Sequence, residues 1–84
     1  MIIDVRTKDE YEEGHAEGAV NIPLGDIMAG DLGVLAGVAK REPLQLYCRS
    51  GARSAAAQGL LTRAGFTSVE NLGGLTDALR ALGS

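Results

Sequence analysis

The stretch LYCRSGARSAAAQGLL, residues 46–61, decides how this chain folds, and it contains the only cysteine of the 84 residues. Leu44–Tyr47, with the apolar residues Leu44, Leu46 and Tyr47, is predicted to be a strand. A helix is predicted from Arg53 to Ala64, ended by Gly65, because its apolar residues recur at helical spacing. A strand joined to a helix by a short loop is the building unit of α/β domains.

The rest of the sequence repeats this alternation of strand and helix. A capping-box pattern, with Thr7 at the N-cap and Glu10 three residues later, predicts a helix that ends at Gly14. Alternation of this kind predicts one α/β domain over residues 1–84, a mostly parallel sheet with helices on both faces. The predicted strands are 2–5, 19–22, 44–47 and 67–71, and the predicted helices are 7–14, short pieces within 24–40, 53–64 and 76–82.

Composition excludes several classes of protein. The net charge of −3 is spread along the chain, which argues against a nucleic-acid partner. No apolar run approaches the roughly 20 residues that span a bilayer, so no membrane partner is expected. With no visible signal peptide, a cytoplasmic location is expected, or a periplasmic one if the chain is a processed form. One cysteine permits no internal disulfide, no zinc-type cluster is present, and neither a metal nor a cofactor is expected.

Cys48 has two interpretations. A lone cysteine in a small domain is often a packing residue, because free cysteine is among the most buried residue types. The surroundings favour a nucleophile instead. Cys48 starts a strand-to-helix loop whose amides can form an anion nest, and Gly51 permits the tight curl. Arg49 and Arg53 add two cations, and such surroundings lower a thiol pKa from about 8.5 into the range of about 3.5–7.5.

Short motifs in a fixed order run along almost the whole chain, and together they resemble the rhodanese family, the thiosulfate sulfurtransferases. The resemblance is closest to its compact single-domain type, such as the phage-shock thiosulfate sulfurtransferases. It implies a small three-layer domain with four or at most five strands. The motifs are Asp4-Val5-Arg6, Glu10-Tyr11, Gly14-His15, Gly18-Ala19, Asn21-Ile22-Pro23, the segment 47–54, Ala64-Gly65-Phe66 and the segment 71–75.

The resemblance implies an enzyme that carries sulfur as a persulfide on Cys48. Sulfane sulfur from thiosulfate, a small anionic donor, would pass through this persulfide to cyanide or to a thiol. The spacing from Cys48 to Arg53 is C-x4-R. Related phosphatases and arsenate reductases use a C-x5-R loop that accommodates a tetrahedral oxyanion, so the shorter loop favours sulfur chemistry.

The loop residues Arg49, Ser50, Gly51, Ala52 and Arg53 are predicted to form the persulfide cradle and the donor site. Arg49 is expected to face the substrate. For Arg53 the alternative of an ion pair with an acid of the fold stays open, since an arginine at a helix start opposes the helix dipole unless an anion is near. Ser50 is expected either to bind the sulfur or to cap the turn.

Several further residues are expected to be structural. For Ser54 the same two roles stay open, binding the sulfur or capping the turn, and capping is favoured. Asp4 and Arg6 are interpreted as fold residues, with Arg6 pairing an acid such as Glu10. His15 is predicted to shape a turn, because a persulfide mechanism needs no general base. Gly73 and Gly74 are expected to let the last loop pass close to the active-site loop.

Other functions stay open beside the thiosulfate enzyme. One is a sulfur carrier that takes its persulfide from a protein donor. Another is an inactive interaction domain, which the intact Cys48, Arg49 and Arg53 disfavour. An exposed sheet edge, if a strand is missing there, would allow pairing, so the chain is expected to be a monomer or a weak dimer.

Overall fold

The computed structural model describes residues 1–83 and shows strands and helices alternating along the chain. The predicted α/β class is therefore confirmed. The elements are β1 Ile2–Asp4, α1 Lys8–Glu13, β2 Val20–Asn21, α2 Leu24–Met28, a 3-10 helix Gly33–Gly37, β3 Leu44–Cys48, α3 Ala52–Arg63, β4 Val69–Gly74 and α4 Leu75–Ala81.

Within residues 1–83, four strands form one sheet, and all of them are parallel, as expected. Their order is β2-β1-β3-β4. The central strand β3 pairs with β1 on one side and β4 on the other. Its pairing with β4 changes register between Leu46 and Cys48, so that Cys48 lies opposite Gly74. Because all four strands are parallel, their carboxyl ends lie at one edge of the sheet, and Cys48 ends β3 there.

Helices cover both faces of the sheet, and each face has its own apolar core. On one face α2, the 3-10 helix and α3 pack on the sheet through residues such as Ile27, Leu35 and Leu61. On the other face α1 and α4 pack through Tyr11 and Ala78. This arrangement confirms the three-layer domain.

Helix α1 begins with the predicted capping box. The Glu10 amide donates to Thr7 Oγ1 at 3.3 Å, and the Thr7 amide donates to Glu10 Oε1 at 3.1 Å. Gly14 ends the helix, as predicted. The capping box fixes the position of the Glu10 carboxylate, which the candidate site also uses.

Some boundaries differ from the sequence prediction. Helix α3 begins at Ala52, one residue earlier than predicted, and β4 continues to Gly74. The strand starts later because the Thr67 amide bonds the Lys40 carbonyl, outside the sheet. It ends later because Gly74 still pairs with Cys48. Within residues 1–83, none of the helices has the length and apolar character to cross a membrane.

Candidate active site

The thiol of Cys48 lies at the carboxyl end of β3, beneath the loop that leads into α3. The side chain is buried, and its sulfur accepts a hydrogen bond from the Gly51 amide at 2.9 Å. Gly51 has φ of +95°, a left-handed conformation that glycine adopts without steric cost. The loop therefore curls its amides back over the sulfur, as an anion nest requires.

Ser54 faces the same sulfur, which is one of the two roles expected for it, and its hydroxyl also lies 3.1 Å from the Gly51 carbonyl oxygen in the turn. The N-terminal cap of α3 is Gly51, with no side-chain cap bond. The Ser54 side chain is fully buried, and its hydroxyl lies 3.4 Å from Cys48 Sγ. The hydroxyl points into the nest because Ser54 lies in the first turn of α3 on the side facing the sheet.

These contacts change the acidity of Cys48. Burial raises the pKa of the thiol, but hydrogen bonds from the Ser54 hydroxyl and from the amides of Ser54, Ser50 and Gly51 lower it. Together they leave the pKa of Cys48 below that of an ordinary cysteine. The nest thus favours the thiolate, which is the nucleophilic form.

The two arginines of the loop differ in their surroundings. Arg53 forms a two-bond ion pair with Glu10, with distances of 2.7 Å from Nη1 to Oε1 and 3.0 Å from Nη2 to Oε2. The Arg49 side chain is 82% exposed and approaches Glu10 Oε2 only to 3.8 Å. The alternative of a structural ion pair is therefore confirmed for Arg53, while Arg49 is free to meet an anion.

The expected partner of Arg6 is corrected by the structure. Arg6 pairs with Asp4, two residues earlier, through Nη2 at 2.7 Å, and Nη2 also donates to the Gly14 carbonyl at 2.6 Å. Glu10 is instead bound to Arg53. Both Asp4 and Arg6 are buried, so this pair holds the end of β1 to the turn after α1.

Gly73 and Gly74 lie against the active-site loop, as predicted. A Cβ at Gly74 would overlap the carbonyl oxygen of Arg49. A Cβ at Gly51 would lie 3.2 Å from the Cα of Gly73. Side chains at these positions would displace the loop, so the glycines make room for the nest.

Asn71, in the middle of β4, connects the active-site loop with Gly73, and the sequence analysis did not single it out as a site residue. Its Oδ1 accepts bonds from the Ser54 hydroxyl at 2.6 Å and the Gly73 amide at 2.9 Å. Its Nδ2 donates to the Gly51 carbonyl at 3.1 Å. The available signal was its place in the motif before Gly73-Gly74, at the carboxyl end of a predicted strand.

His15 lies in the turn after α1, in agreement with the structural interpretation. Its ring stacks on Tyr11 with 3.7 Å between ring centroids, and Nδ1 lies 2.8 Å from the Tyr11 carbonyl oxygen. The ring is thus held by its own helix and not by Cys48.

An open cleft of about 450 Å³ lies beside the loop. Arg49 is the loop residue that lines it, and Leu75 and Thr76 at the start of α4 form another part of its wall. Glu10 and Glu13 make its rim partly acidic. Arg49 therefore connects this cleft with the loop that carries Cys48.

The loop geometry and the order of motifs agree with a known family. The rhodanese-like domain profile matches residues 1–81. The chain belongs to this family. The match confirms the resemblance found in the sequence, and its range covers the Cys48 loop, Asn71 and the two glycines.

Curated relatives of this rhodanese-like domain include named enzymes. It is 39% identical over 75 residues to the thiosulfate sulfurtransferase PspE of Escherichia coli, covering 89% of this chain and 70% of the relative. It is 36% identical over 73 residues to the putative sulfur carrier protein YrkF of Bacillus subtilis, covering 84% of this chain and 36% of that protein. The first relative supports the expected enzyme class, a sulfurtransferase.

Solved structures share the fold of this rhodanese-like domain. A rhodanese with anions from E. coli has a TM-score of 0.79 and 38% identity, with 90% of this chain and 87% of that chain covered. The rhodanese-like domain of an Anabaena protein has a TM-score of 0.81 and 30% identity, with 99% and 92% covered. Both matches support the assignment of the fold over nearly the whole chain.

Proposed function

We propose that this domain transfers sulfane sulfur from thiosulfate to cyanide or a thiol through a persulfide on Cys48. The observation that carries the proposal is the sulfur of Cys48 under a nest of donors, with Gly51 N at 2.9 Å and Ser54 Oγ at 3.4 Å. Donors aimed at one buried sulfur stabilise a negative charge there. The family match and the relative PspE, a named thiosulfate sulfurtransferase, support the same chemistry.

The first half of the reaction loads the sulfur. The Cys48 thiolate attacks the outer sulfur of thiosulfate, a new S–S bond forms, and the old S–S bond breaks. Sulfite leaves with the electron pair of that bond. Arg49, exposed beside the nest, attracts the dianionic donor and compensates charge as sulfite departs.

The second half unloads the sulfur. The acceptor, cyanide or a thiolate, attacks the outer sulfur of the persulfide, and Cys48 leaves as the thiolate. Thiocyanate or a new persulfide is released. Hydrogen bonds from Gly51 and Ser54 to the departing thiolate assist this step, since they lower the pKa of the leaving group.

The loop length disfavours the oxyanion chemistry of the related phosphatases. The arginine of the C-x4-R loop, Arg53, is already bound by Glu10 at 2.7 Å and 3.0 Å. Arg53 therefore holds the loop to α1. The spacing from Cys48 to Arg53 is one residue shorter than in the C-x5-R loop of those phosphatases, and this shorter loop supports sulfur transfer.

Intact mass spectrometry tests the proposal. After incubation with thiosulfate, the parent protein is expected to gain one sulfur atom, and the Cys48→Ser variant is expected to gain none. Cyanide should remove the added sulfur and release thiocyanate. A folded parent protein that gains no sulfur from thiosulfate would contradict the thiosulfate reaction.

A second candidate is a sulfur carrier that receives its persulfide from a protein. The similarity to YrkF, named a putative sulfur carrier protein, favours it. The two candidates share the Cys48 persulfide and differ in the donor. Loading by a cysteine desulfurase persulfide, compared with loading by thiosulfate, separates them: a carrier loads only from the protein donor.

A further inference from the structure

The hydroxyl of Ser54 is a buried donor with three acceptors in reach. Its oxygen lies 2.6 Å from Asn71 Oδ1, 3.1 Å from the Gly51 carbonyl oxygen and 3.4 Å from Cys48 Sγ. A hydroxyl carries one hydrogen and can donate it to one of them at a time. The direction of that hydrogen therefore depends on which acceptor carries the most negative charge.

The orientation of the Asn71 amide is fixed by its other partners. The Gly73 amide is a donor and lies 2.9 Å from Oδ1, whereas the Gly51 carbonyl is an acceptor and lies 3.1 Å from Nδ2. Turning the amide over would place donor against donor and acceptor against acceptor. Asn71 therefore presents an oxygen to Ser54, and the hydroxyl donates in this bond.

The charge on Cys48 decides whether the hydroxyl keeps this bond. When Cys48 is a neutral thiol, Asn71 Oδ1 is the better acceptor, and it lies closer. When Cys48 is a thiolate, its sulfur becomes the strongest acceptor in reach, because hydrogen bonds to ionised groups are roughly twice as strong as neutral ones. Asn71 Oδ1 can release the hydroxyl without becoming unpaired, since it keeps the Gly73 amide.

We propose that the Ser54 hydroxyl is a one-proton switch, which donates to Asn71 when Cys48 is a thiol or a persulfide and to Cys48 Sγ when Cys48 is a thiolate. The statement about the persulfide rests on the proposed function. In a persulfide the negative charge lies on the outer sulfur, so Cys48 Sγ accepts a hydrogen bond less well than in the thiolate. The switch stabilises the thiolate selectively. It therefore assists both the ionisation of Cys48 and its departure when an acceptor takes the sulfur.

Other charged groups near the nest do not depend on the switch. Arg53 interacts electrostatically with Cys48 and is held by Glu10. Arg49 reaches Glu10 at 3.8 Å. Asp77 of α4 accepts from the Gly74 amide at 3.1 Å. None of these contacts uses the Ser54 hydroxyl, so the effect of the hydroxyl can be measured separately.

Alkylation of Cys48 by iodoacetamide as a function of pH tests the switch. Ser54→Ala is expected to raise the midpoint pH of Cys48 alkylation by about one unit. This shift corresponds to a roughly tenfold smaller thiolate fraction at pH values below both midpoints. Ser54→Thr, which keeps a hydroxyl, should restore most of the shift. Thr62→Ala is the matched control, because it removes an exposed hydroxyl from the same helix and should leave the midpoint unchanged. A folded Ser54→Ala protein with the parental midpoint would overturn the proposal.

Nuclear magnetic resonance of the parent protein provides a second test that does not depend on a variant. The side-chain amide of Asn71 and the backbone amide of Gly73 should both change chemical shift with the midpoint of Cys48 alkylation. Resonances that stay constant through that midpoint would overturn the switch. Neither measurement requires sulfur transfer. If both give the expected result and the protein takes no sulfur from thiosulfate, only the proposed function and the statement about the persulfide are contradicted.

Discussion

The guanidinium of Arg53 is held by the carboxylate of Glu10, with nitrogen–oxygen distances of 2.7 Å and 3.0 Å. The same carboxylate completes the capping box of α1 by accepting the Thr7 amide. One acidic side chain thus connects the start of α1 to the first turn of α3, directly beneath the active-site loop. The two arginines therefore differ in role: Arg53 anchors the loop, and Arg49 is left exposed.

This difference predicts that Arg49→Ala weakens donor binding and leaves folding intact. The thiosulfate concentration for half-maximal loading should rise by about tenfold, the cost of losing one hydrogen bond to a charged group. Arg49 is 82% exposed, so the free energy of unfolding should change little. Arg63→Ala, which removes a cation from the other end of α3, is the matched control. Equal effects of the two substitutions would show that only net charge matters.

The Glu10 ion pair predicts a stability loss in acid. The hydrogen bond from Arg53, followed by the bond from the Thr7 amide, lowers the pKa of Glu10 from 4.5 to about 2. In the pH range between these values the unfolded chain binds more protons than the folded one. The contribution of Glu10 is therefore complete above about pH 4.5 and is lost as the pH falls toward 2.

Urea unfolding at pH 6 and pH 3 measures this contribution. Glu10→Gln is expected to cost about 1 kcal/mol at pH 6, since the pair is partly solvent-screened, and much less at pH 3. Glu13→Gln removes an exposed acid from the same helix and should show no such pH dependence. If Glu10→Gln costs the same at both pH values, the ion pair does not supply the stability.

Substitutions at two glycines are expected to have opposite effects, because Gly74 lies against the active-site loop and Gly59 faces open space on α3. Gly74→Ala is expected to destabilise the fold by about 1–3 kcal/mol and to abolish sulfur loading, because its Cβ overlaps the Arg49 carbonyl. Gly59→Ala in α3 has open space around the new Cβ and should stabilise by about 0.5–1 kcal/mol. Thermal unfolding measures the change in stability, and mass spectrometry after incubation with thiosulfate measures sulfur loading. A Gly74→Ala protein with parental loading would show that the loop tolerates the displacement.

The buried pair of Asp4 and Arg6 predicts a large asymmetric cost. Arg6→Met leaves the fully buried Asp4 carboxylate without its ion-pair partner and should cost about 3–5 kcal/mol. Replacing both, as Asp4→Leu with Arg6→Met, should cost less than Arg6→Met alone, since no uncompensated charge remains. Chemical denaturation of the three proteins gives the comparison, and a double variant less stable than the single one would contradict this account.

Much of this protein follows from local sequence. The capping box at Thr7 and Glu10, the alternation of strand and helix, and the position of Cys48 at a strand end each depend on residues close in the chain. Such signals act over a few residues, so they can be recognised without knowledge of the tertiary contacts. For that reason the fold class, the strand count and the amide nest around Cys48 were predictable, and the family motifs added the sulfurtransferase class.

Tertiary structure alone decided which side chains are partners. Arg6 and Arg53 are both cations that the sequence offers to any nearby acid, yet Arg6 pairs with Asp4 and Arg53 with Glu10. Similarly, Ser54 could cap its own helix, but the packing of α3 on β4 buries its hydroxyl between Cys48 and Asn71. Asp4 lies only two residues from Arg6, so that pair is local. The partners of Arg53 and Ser54 lie far away in the chain, and these contacts exist only after sheet and helices have packed.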